Sequence, residues 1–420
     1  MVQDSKNSSA PRKRPLDGIR VLDLSRVLAG PWCTQNLADL GAEVFKIERP
    51  GTGDDTRTWG PPFLRDAGGR DTSESAYFLC ANRNKQSVAI DMSSPEGAAL
   101  IREFAKSCDV VVENFKVGGL KKYGLDYESL SALNPRLVHC SVTGFGQSGP
   151  LSQRAGYDFL IQGMGGLMSI TGEPDSVAGG GPEKVGVAVT DLMAGMYATT
   201  GILAALMERE KSGLGQHLDI ALLDCQLAML ANQSMNYLTT GVAPRRMGNA
   251  HPNIVPYQTF AASDGHVIVA CGNDGQFRAL CTAMNVPELA IDSRFATNSG
   301  RSVNRAELLP QLAAVFATRT RDAWVEALEA CGVPCGPIND IEQAFGSEQA
   351  VHRGAAREIA HPVAGVAPTV ASPLRLSATP VQYDHAPPML GEHTNAVLRE
   401  VLGLDDAKIS ELVQAGVIGA

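Results

Sequence analysis

The sequence predicts an α/β fold, with a Rossmann-like large domain on a parallel sheet followed by a smaller α/β domain. Three observations predict it. Short β-rich runs alternate with stretches of helical spacing, which implies right-handed βαβ units. The pattern breaks at a Pro-rich, loop-like stretch from Gly241 to Pro256. The chain of 420 residues also exceeds what a single hydrophobic core usually holds.

In GIRVLDLSRVLAGPWCTQNLADLGAEVFKIERP, the runs VLDL and VFKIE predict strands, and Cys33, Leu37 and Leu40 keep helical spacing between them. SVAIDM predicts a strand, SPEGAALIREFAKSC a helix with Ser94 as N-cap, and DVVVENF a further strand. YESLSALN reads as a short helix and RLVHCSV as the next strand, completing a Rossmann-like region over about residues 15 to 150. The stretch VGVAVTDLMAGMYATTGILAALMEREKSG, Val185 to Gly213, predicts a long helix; between Thr190 and Glu208 its only charge is Asp191. GQHLDIALLDCQLAMLANQSMNYLTTG predicts a strand and then a second long helix. GHVIVACGNDGQFRALCTAMN reads strand, glycine loop, helix, and helical spacing continues through NRAELLPQLAAVFATRTRDAWVEALEACG. Beyond GVPCGPIND come β-like pieces, Pro-rich turns and a last amphipathic helix, HTNAVLREVLG. The expected division is a disordered tail over 1–14, a large domain over 15–225, a small domain over 226–330, and a C-terminal segment over 331–420.

Composition narrows the function. The chain is 44% hydrophobic and 19% charged, with a formal net charge of −9. That balance argues against nucleic acid or an anionic membrane as partner. Nine cysteines are scattered, and Cys331 and Cys335, the one close pair, have no His or second Cys pair nearby to complete a zinc site. No metal is expected, and unpaired thiols point to a reducing, cytoplasmic setting. MVQDSKNSSAPRKRP lacks the apolar core of a secretory signal. Leu192 to Met207 reads as too short and too rich in Gly and Thr to span a bilayer.

GFGQSG, Gly144 to Gly149, fits the G-x-G-x-x-G spacing of dinucleotide sites. Its context fails, because Pro150 and the polar LSQRAG stand where a helix should open on the pyrophosphate. Asp191 carries more. Thr190 can cap the long helix, which places Asp191 in the first turn, where the macrodipole favours negative charge. One reading makes Asp191 a helix-tuning carboxylate contributing about 0.3–1 kcal/mol. The other makes it an ionised, poorly solvated nucleophile at the edge of an apolar helix, with the loop CGNDGQF able to close over it. Composition leaves both open.

Further motifs carry a resemblance. LDLSRVLAGPWCTQNLADLGAEVFKIERPGTGDDTR, NRNKQSVAIDM, DVVVENF, SVTGFGQSGP, RAGYDF, GVAVTDLMAG and PPMLGEHTNAVLREVLG occur in this order from about Leu16 to the C-terminus. In these motifs the chain resembles the class III CoA-transferases, the family of formyl-CoA transferase, carnitine CoA-transferases and α-methylacyl-CoA racemase. In GTGDDTRTWGPPF, LSQRAGYD and GNAHPNIVPYQTF it is most similar to members that pass CoA from succinyl-CoA to glutarate.

The resemblance implies transfer of CoA from an acyl-CoA to a small dicarboxylate, with Asp191 as nucleophile and with aspartyl anhydride and aspartyl-CoA thioester intermediates. It implies no permanently bound cofactor; coenzyme A enters as the thioester substrate. Gly272, Asn273, Asp274, Gly275 and Gln276 match a lid that excludes water, and glycine there would supply positive φ and mobility. Leu28, Ala29, Arg49, Asp91, Met92, Ser93, Asn114, Phe115, Lys116 and Lys122 match the CoA-binding pattern, with Arg49 and Lys122 as partners for the phosphates. Arg154, Tyr157 and Asp158 would line the acyl end. Arg245, Arg246 and His251 are candidates for the acceptor's distal carboxylate, which needs a partner in a water-poor pocket; Asn253 is a further one. The family's racemases carry histidine where Tyr157 stands, and a tyrosine of ordinary pKa near 10 is a poor base at neutral pH. A racemase-type or intramolecular CoA-transfer enzyme, or a non-catalytic CoA-binding relative, are the alternatives. The resemblance further implies an interlocked, ring-like homodimer, with the segment after about residue 330 returning to the large domain.

Overall fold

A computed structural model describes residues 13–419; most of the N-terminal tail over 1–14 lies outside the described residues. The chain divides into two units. The first comprises the chain up to Gly166, Gly186–Ser234 and the chain from His352 onward. Its centre is a parallel sheet of β1 (Arg20–Asp23), β2 (Glu43–Glu48), β3 (Lys85–Ala89), β4 (Val110–Glu113), β5 (Val138–Thr143) and β6 (His217–Ala221). The strands lie in the order β3-β2-β1-β4-β5-β6, every pair parallel. The order reverses between β1 and β4. In open α/β sheets ligands bind beyond the C-terminal strand ends at such a reversal.

The central strands β1, β2, β4 and β5 are almost wholly buried because helices cover both faces. On one face α1 (Ala29–Asp39) packs with Cys33 and Leu37 in the core. On the other, α2 (Pro95–Ser107) buries Ile101 and Phe104, and the Ser94 hydroxyl accepts from Gly97 N at 3.0 Å as its N-cap. After β5 the chain loops through GFGQSG without a helix until α3 (Asp158–Met164), so the dinucleotide geometry is absent there. Next comes α4 (Val189–Ser212), which by length and a hydropathy of 1.3 is long and apolar enough to cross a membrane. That corrects the expectation that the segment is too short. Its apolar side nonetheless lies in the sheet's core, through Ala194, Ala198, Ile202, Ala205 and Leu206.

The second long helix is instead two, α5 (Leu222–Met229) and α6 (Asn232–Thr240). Ala231 between them sits at φ 45°, a left-handed conformation that ends a helix. The second unit comprises Leu167–Val185 and Met235–Val351, bounds that differ from the expected 226–330. Its antiparallel sheet joins β7 (Tyr257–Ala261), β8 (His266–Ala270) and β9 (Cys335–Pro337). Against it pack α7 (Asp274–Ala283), α8 (Arg305–Phe316) and α9 (Arg321–Ala330), which bury Phe277, Phe316 and Trp324. In the first unit α10 (Thr394–Leu402) follows, and the chain adds α11 (Asp406–Gln414) beyond the helix expected to be last. Asp405 caps α11 by accepting from Lys408 N at 2.8 Å.

Candidate active site

Asp191 stands in the first turn of α4, but Thr190 is not its cap. The helix begins at Val189, with Ala188 as an N-cap that offers no side-chain acceptor. The acceptor comes from α3. Asp158 Oδ1 accepts from Thr190 N at 2.8 Å and Asp191 N at 3.4 Å, while Gln162 Nε2 holds Oδ2 at 2.7 Å. Thr190 turns its hydroxyl to Gln226 Oε1 at 2.6 Å. One carboxylate thus takes the free N–H groups of the helix, and among the described residues the Asp191 carboxylate has no hydrogen-bond donor. Burial, and then the charge of Asp158, push Asp191 up to about 7. A carboxylate so raised is more basic than an ordinary aspartate.

Asp191 looks into a cavity of about 240 Å³ lined also by Leu28, Ala29, Thr143, Gly156 and Tyr157. Two helix N-termini meet here because α4 carries Gly195 where it crosses α1. A Cβ at Gly195 would stand 2.7 Å from Ala29 O and 3.0 Å from Trp32 Cδ1. Asn114, Phe115, Lys116 and Arg154 complete the predicted residues on this wall; Asp158, expected there, is not in the lining and is engaged at the start of α4 instead. Tyr157 is 67% exposed at its rim.

A second cavity, of about 610 Å³, shares Arg26, Asp55, Phe115 and Lys116 with the first. It collects Arg49, Asp91, Met92, Ser93 and Lys122. Arg49, Lys116 and Lys122 are exposed and make no ion pair among the described residues. Asp91 is held low, first by the Ser93 hydroxyl and then, against some desolvation, by the Ser93 backbone and Arg49. The predicted CoA-binding residues therefore line two adjoining cavities. Three free cations at one and a thioester-sized recess at the other suit a long ligand with an anionic end.

Against the larger cavity, with Lys46 and Asp54 in its lining, is a charged core that the sequence reading missed. Lys46, Lys85, Asp23 and Asp54 are wholly or almost wholly buried. Lys46 Nζ donates to Asp54 Oδ2 at 2.9 Å, and Lys85 Nζ donates to Asp23 Oδ2 at 3.1 Å. Although desolvation opposes it, Lys46 leads the set of donors that holds Asp54 down to about 2. Beside it Val27 sits at φ 70°, a conformation costing a β-branched residue about 1–2 kcal/mol. Tyr77 was missed as well: burial and then the nearby Asp191 raise its hydroxyl to about 12, so it stays a neutral donor. Trp59 packs on its edge at 5.1 Å. Trp59 and Tyr77 lie 18 positions apart, in GTGDDTRTW and SESAYF, so no local pattern announced the pair.

The glycine loop belongs to the second unit and is built as a helix cap. Gly272 N donates to Gln276 Oε1 at 2.8 Å, Asn273 Oδ1 accepts from Gln276 N at 2.9 Å, and Asp274 pairs with the buried Arg301 at 2.9 Å. Neither Gly272 nor Gly275 has positive φ, so the expected use of left-handed backbone is absent. Arg246 is committed, through Nε to Glu173 O at 3.1 Å and through an ion pair with Asp175. Arg245 is exposed and makes no ion pair among the described residues. His251 Nδ1 accepts from Asn253 N and Ile254 N, both at 3.1 Å, which fixes the neutral ring with its proton on Nε2. No group of three metal-ligating side chains occurs among the described residues.

Residues 16–394 match the sequence profile of CoA-transferase family III. A succinate–glutarate CoA-transferase of Agrobacterium fabrum is 50% identical over 390 residues, 93% of this chain and 96% of that protein. A succinyl-CoA:glutarate CoA-transferase of Homo sapiens is 45% identical over 405 residues, 96% of this chain and 90% of that protein. A crystal structure of a CAIB/BAIF family protein from Brucella suis superposes with a TM-score of 0.80 at 50% identity, covering 93% of this chain and 100% of the other. With an unpartnered carboxylate at the sheet's reversal point and this breadth of match, the chain belongs to CoA-transferase family III and is an enzyme of that class.

Proposed function

We propose that the chain transfers CoA from succinyl-CoA to glutarate, with Asp191 as the nucleophile. The observation that carries the reading is the Asp191 carboxylate, facing a cavity without a donor of its own and raised to about 7. Such a carboxylate is more basic than an ordinary aspartate and loses little hydration when it attacks. Asp191 Oδ attacks the succinyl carbonyl carbon, the C–S bond breaks, and a succinyl-aspartyl anhydride and CoA thiolate result. The thiolate attacks the aspartyl carbonyl, forming aspartyl-CoA thioester and releasing succinate. Glutarate then attacks that carbonyl, giving a glutaryl-aspartyl anhydride and freeing CoA thiolate. Attack of the thiolate on the glutaryl carbonyl forms glutaryl-CoA and regenerates Asp191. Donor and product are both thioesters of similar energy, so the net transfer is close to isoenergetic; each anhydride lies above them and is consumed by the returning thiolate.

Arg49 and Lys122 would take the CoA phosphates in the larger cavity, with Lys116 between the two cavities. Tyr77 would donate to the developing carbonyl charge, and Gly272–Gln276 would shield the anhydrides from water. For the distal carboxylate, Arg245 and the Nε2–H of His251 are the available donors, since Arg246 is already paired. An interlocked homodimer, a cytoplasmic location, no resident cofactor and no nucleic-acid or membrane partner complete the proposal. The test is incubation of the purified chain with succinyl-CoA and a panel of dicarboxylic acids, with new thioesters read by mass. Glutaryl-CoA should form fastest; preference for a different acceptor would reassign the substrate.

A further inference from the structure

We propose that Asp54 is a positioning residue: it holds Val27 in left-handed backbone geometry and so fixes the Leu28–Ala29 backbone against the Asp191 cavity. The inference rests on reading that cavity as the acyl-transfer site. Three consecutive residues before α1 are pinned from outside their own segment. Ser25 O accepts from Lys46 Nζ at 3.0 Å. Arg26 is clamped by Asn114, whose Oδ1 accepts from Arg26 N at 2.9 Å and whose Nδ2 donates to Arg26 O at 2.6 Å. Val27 N donates to both oxygens of Asp54, at 3.2 and 3.3 Å.

The Asp54 carboxylate is built for that task. It also accepts from Lys46 Nζ at 2.9 Å, Thr56 N at 3.0 Å and Thr56 Oγ1 at 2.8 Å, and it is 1% exposed. Four donors on two oxygens leave it one orientation. Val27 at φ 70° would relax toward an ordinary conformation without that anchor. The relaxation would swing Leu28 and Ala29, which start α1 without a side-chain cap and line the wall facing Asp191. Asp54 itself lines the larger cavity, so it joins the two ends of the site without touching the reacting atoms.

The test uses strain as its readout, because glycine adopts positive φ freely. Hydrogen–deuterium exchange is measured at the Trp32 amide, which donates to Leu28 O at 2.7 Å, together with kcat/KM for succinyl-CoA. D54N leaves a single acceptor for the four donors. It should speed Trp32 exchange and lower kcat/KM, each by about ten-fold or more, when Val27 is present. Against V27G as parent, the same change should cost less than about three-fold, because the left-handed turn no longer needs holding. Equal losses in the two backgrounds, or no change in exchange, overturn the proposal. Should D54N not fold, K46M/D54N removes the stranded cation and is compared with K46M in the Val27 and V27G backgrounds, so that loss of the Lys46–Ser25 bond is common to both arms. Exchange needs no turnover, so a protein that fails to transfer CoA refutes the proposed function while still deciding the role of Asp54.

Discussion

Two aspartates of one unit, Asp54 and Asp191, meet opposite surroundings. Asp54 is surrounded by four donors and held down to about 2; Asp191 has none among the described residues and is raised to about 7. Burial penalises the charge of both. What separates them is what stands beside each: Lys46 next to Asp54, and a second carboxylate, Asp158, next to Asp191. A carboxylate saturated with donors is an anchor. A starved one is reactive, and the same protein makes both from one residue type.

The largest effect follows from removing the starved member. Asp191→Ala should lower transfer by at least about 10,000-fold, as loss of an enzyme's nucleophile does. CoA affinity should stay within about three-fold of the parent, because Arg49 and Lys122, proposed for its phosphates, lie in the other cavity. Calorimetric CoA binding alongside a transfer assay checks both numbers. Substantial residual transfer would remove Asp191 from the chemistry.

Next comes the anchor. Lys46→Met leaves Asp54 buried with its Thr56 and Val27 donors but without a counter-ion, at a cost of about 3 kcal/mol. Urea unfolding reads this directly, and a change within error would mean that water or a rearranged side chain neutralises Asp54. A smaller loss, about 2 kcal/mol, is expected from Gly195→Ala, whose new methyl meets Ala29 O at 2.7 Å. Because α1 must shift away from α4, kcat/KM should fall further than CoA affinity does.

Asp158→Asn makes the two aspartates more alike, and its effect is the smallest. Its amide oxygen can still cap α4, but the like charge beside Asp191 is gone. Only ionised Asp191 attacks, so kcat/KM should rise with pH through a midpoint near 7 in the parent. In the variant that midpoint should fall by about one pH unit, since burial, the larger cause, remains. Stability has the opposite sign. A raised carboxyl pKa means the folded state keeps a proton the unfolded chain has lost, so this contribution falls as pH rises from about 4 to 7. An unchanged midpoint would show that Asp158 does not act on Asp191 through its charge.

Much of this was legible in the sequence, and the rest was hidden for physical reasons. The parallel sheet was legible because VLDL, VFKIE and DVVVENF are short β-rich runs that alternate with stretches of helical spacing. Asp191 was legible as the only charge on the apolar stretch of α4. Its surroundings were not: the cap expected from Thr190 comes from Asp158, 32 residues earlier, and Arg246 is paired with Asp175, 71 residues away. The ion pairs of Lys46 and Lys85 were hidden for a related reason. Lysine on a strand reads as an exposed or edge position unless the acid opposite it is known, and tertiary structure alone supplies Asp54 and Asp23. The break at Ala231 has no Gly or Pro to announce it.

The most direct test of the central claim is chemical capture at Asp191. The protein is mixed with succinyl-CoA in the absence of acceptor and quenched with hydroxylamine, which converts an anhydride or thioester to a hydroxamate. Peptide mass spectrometry then locates the modified carboxyl group. The account predicts a hydroxamate on Asp191 alone, absent from Asp191→Asn and growing with pH through about 7. Modification of Asp158 or another carboxylate in its place, or turnover with no captured carboxylate at all, would contradict it.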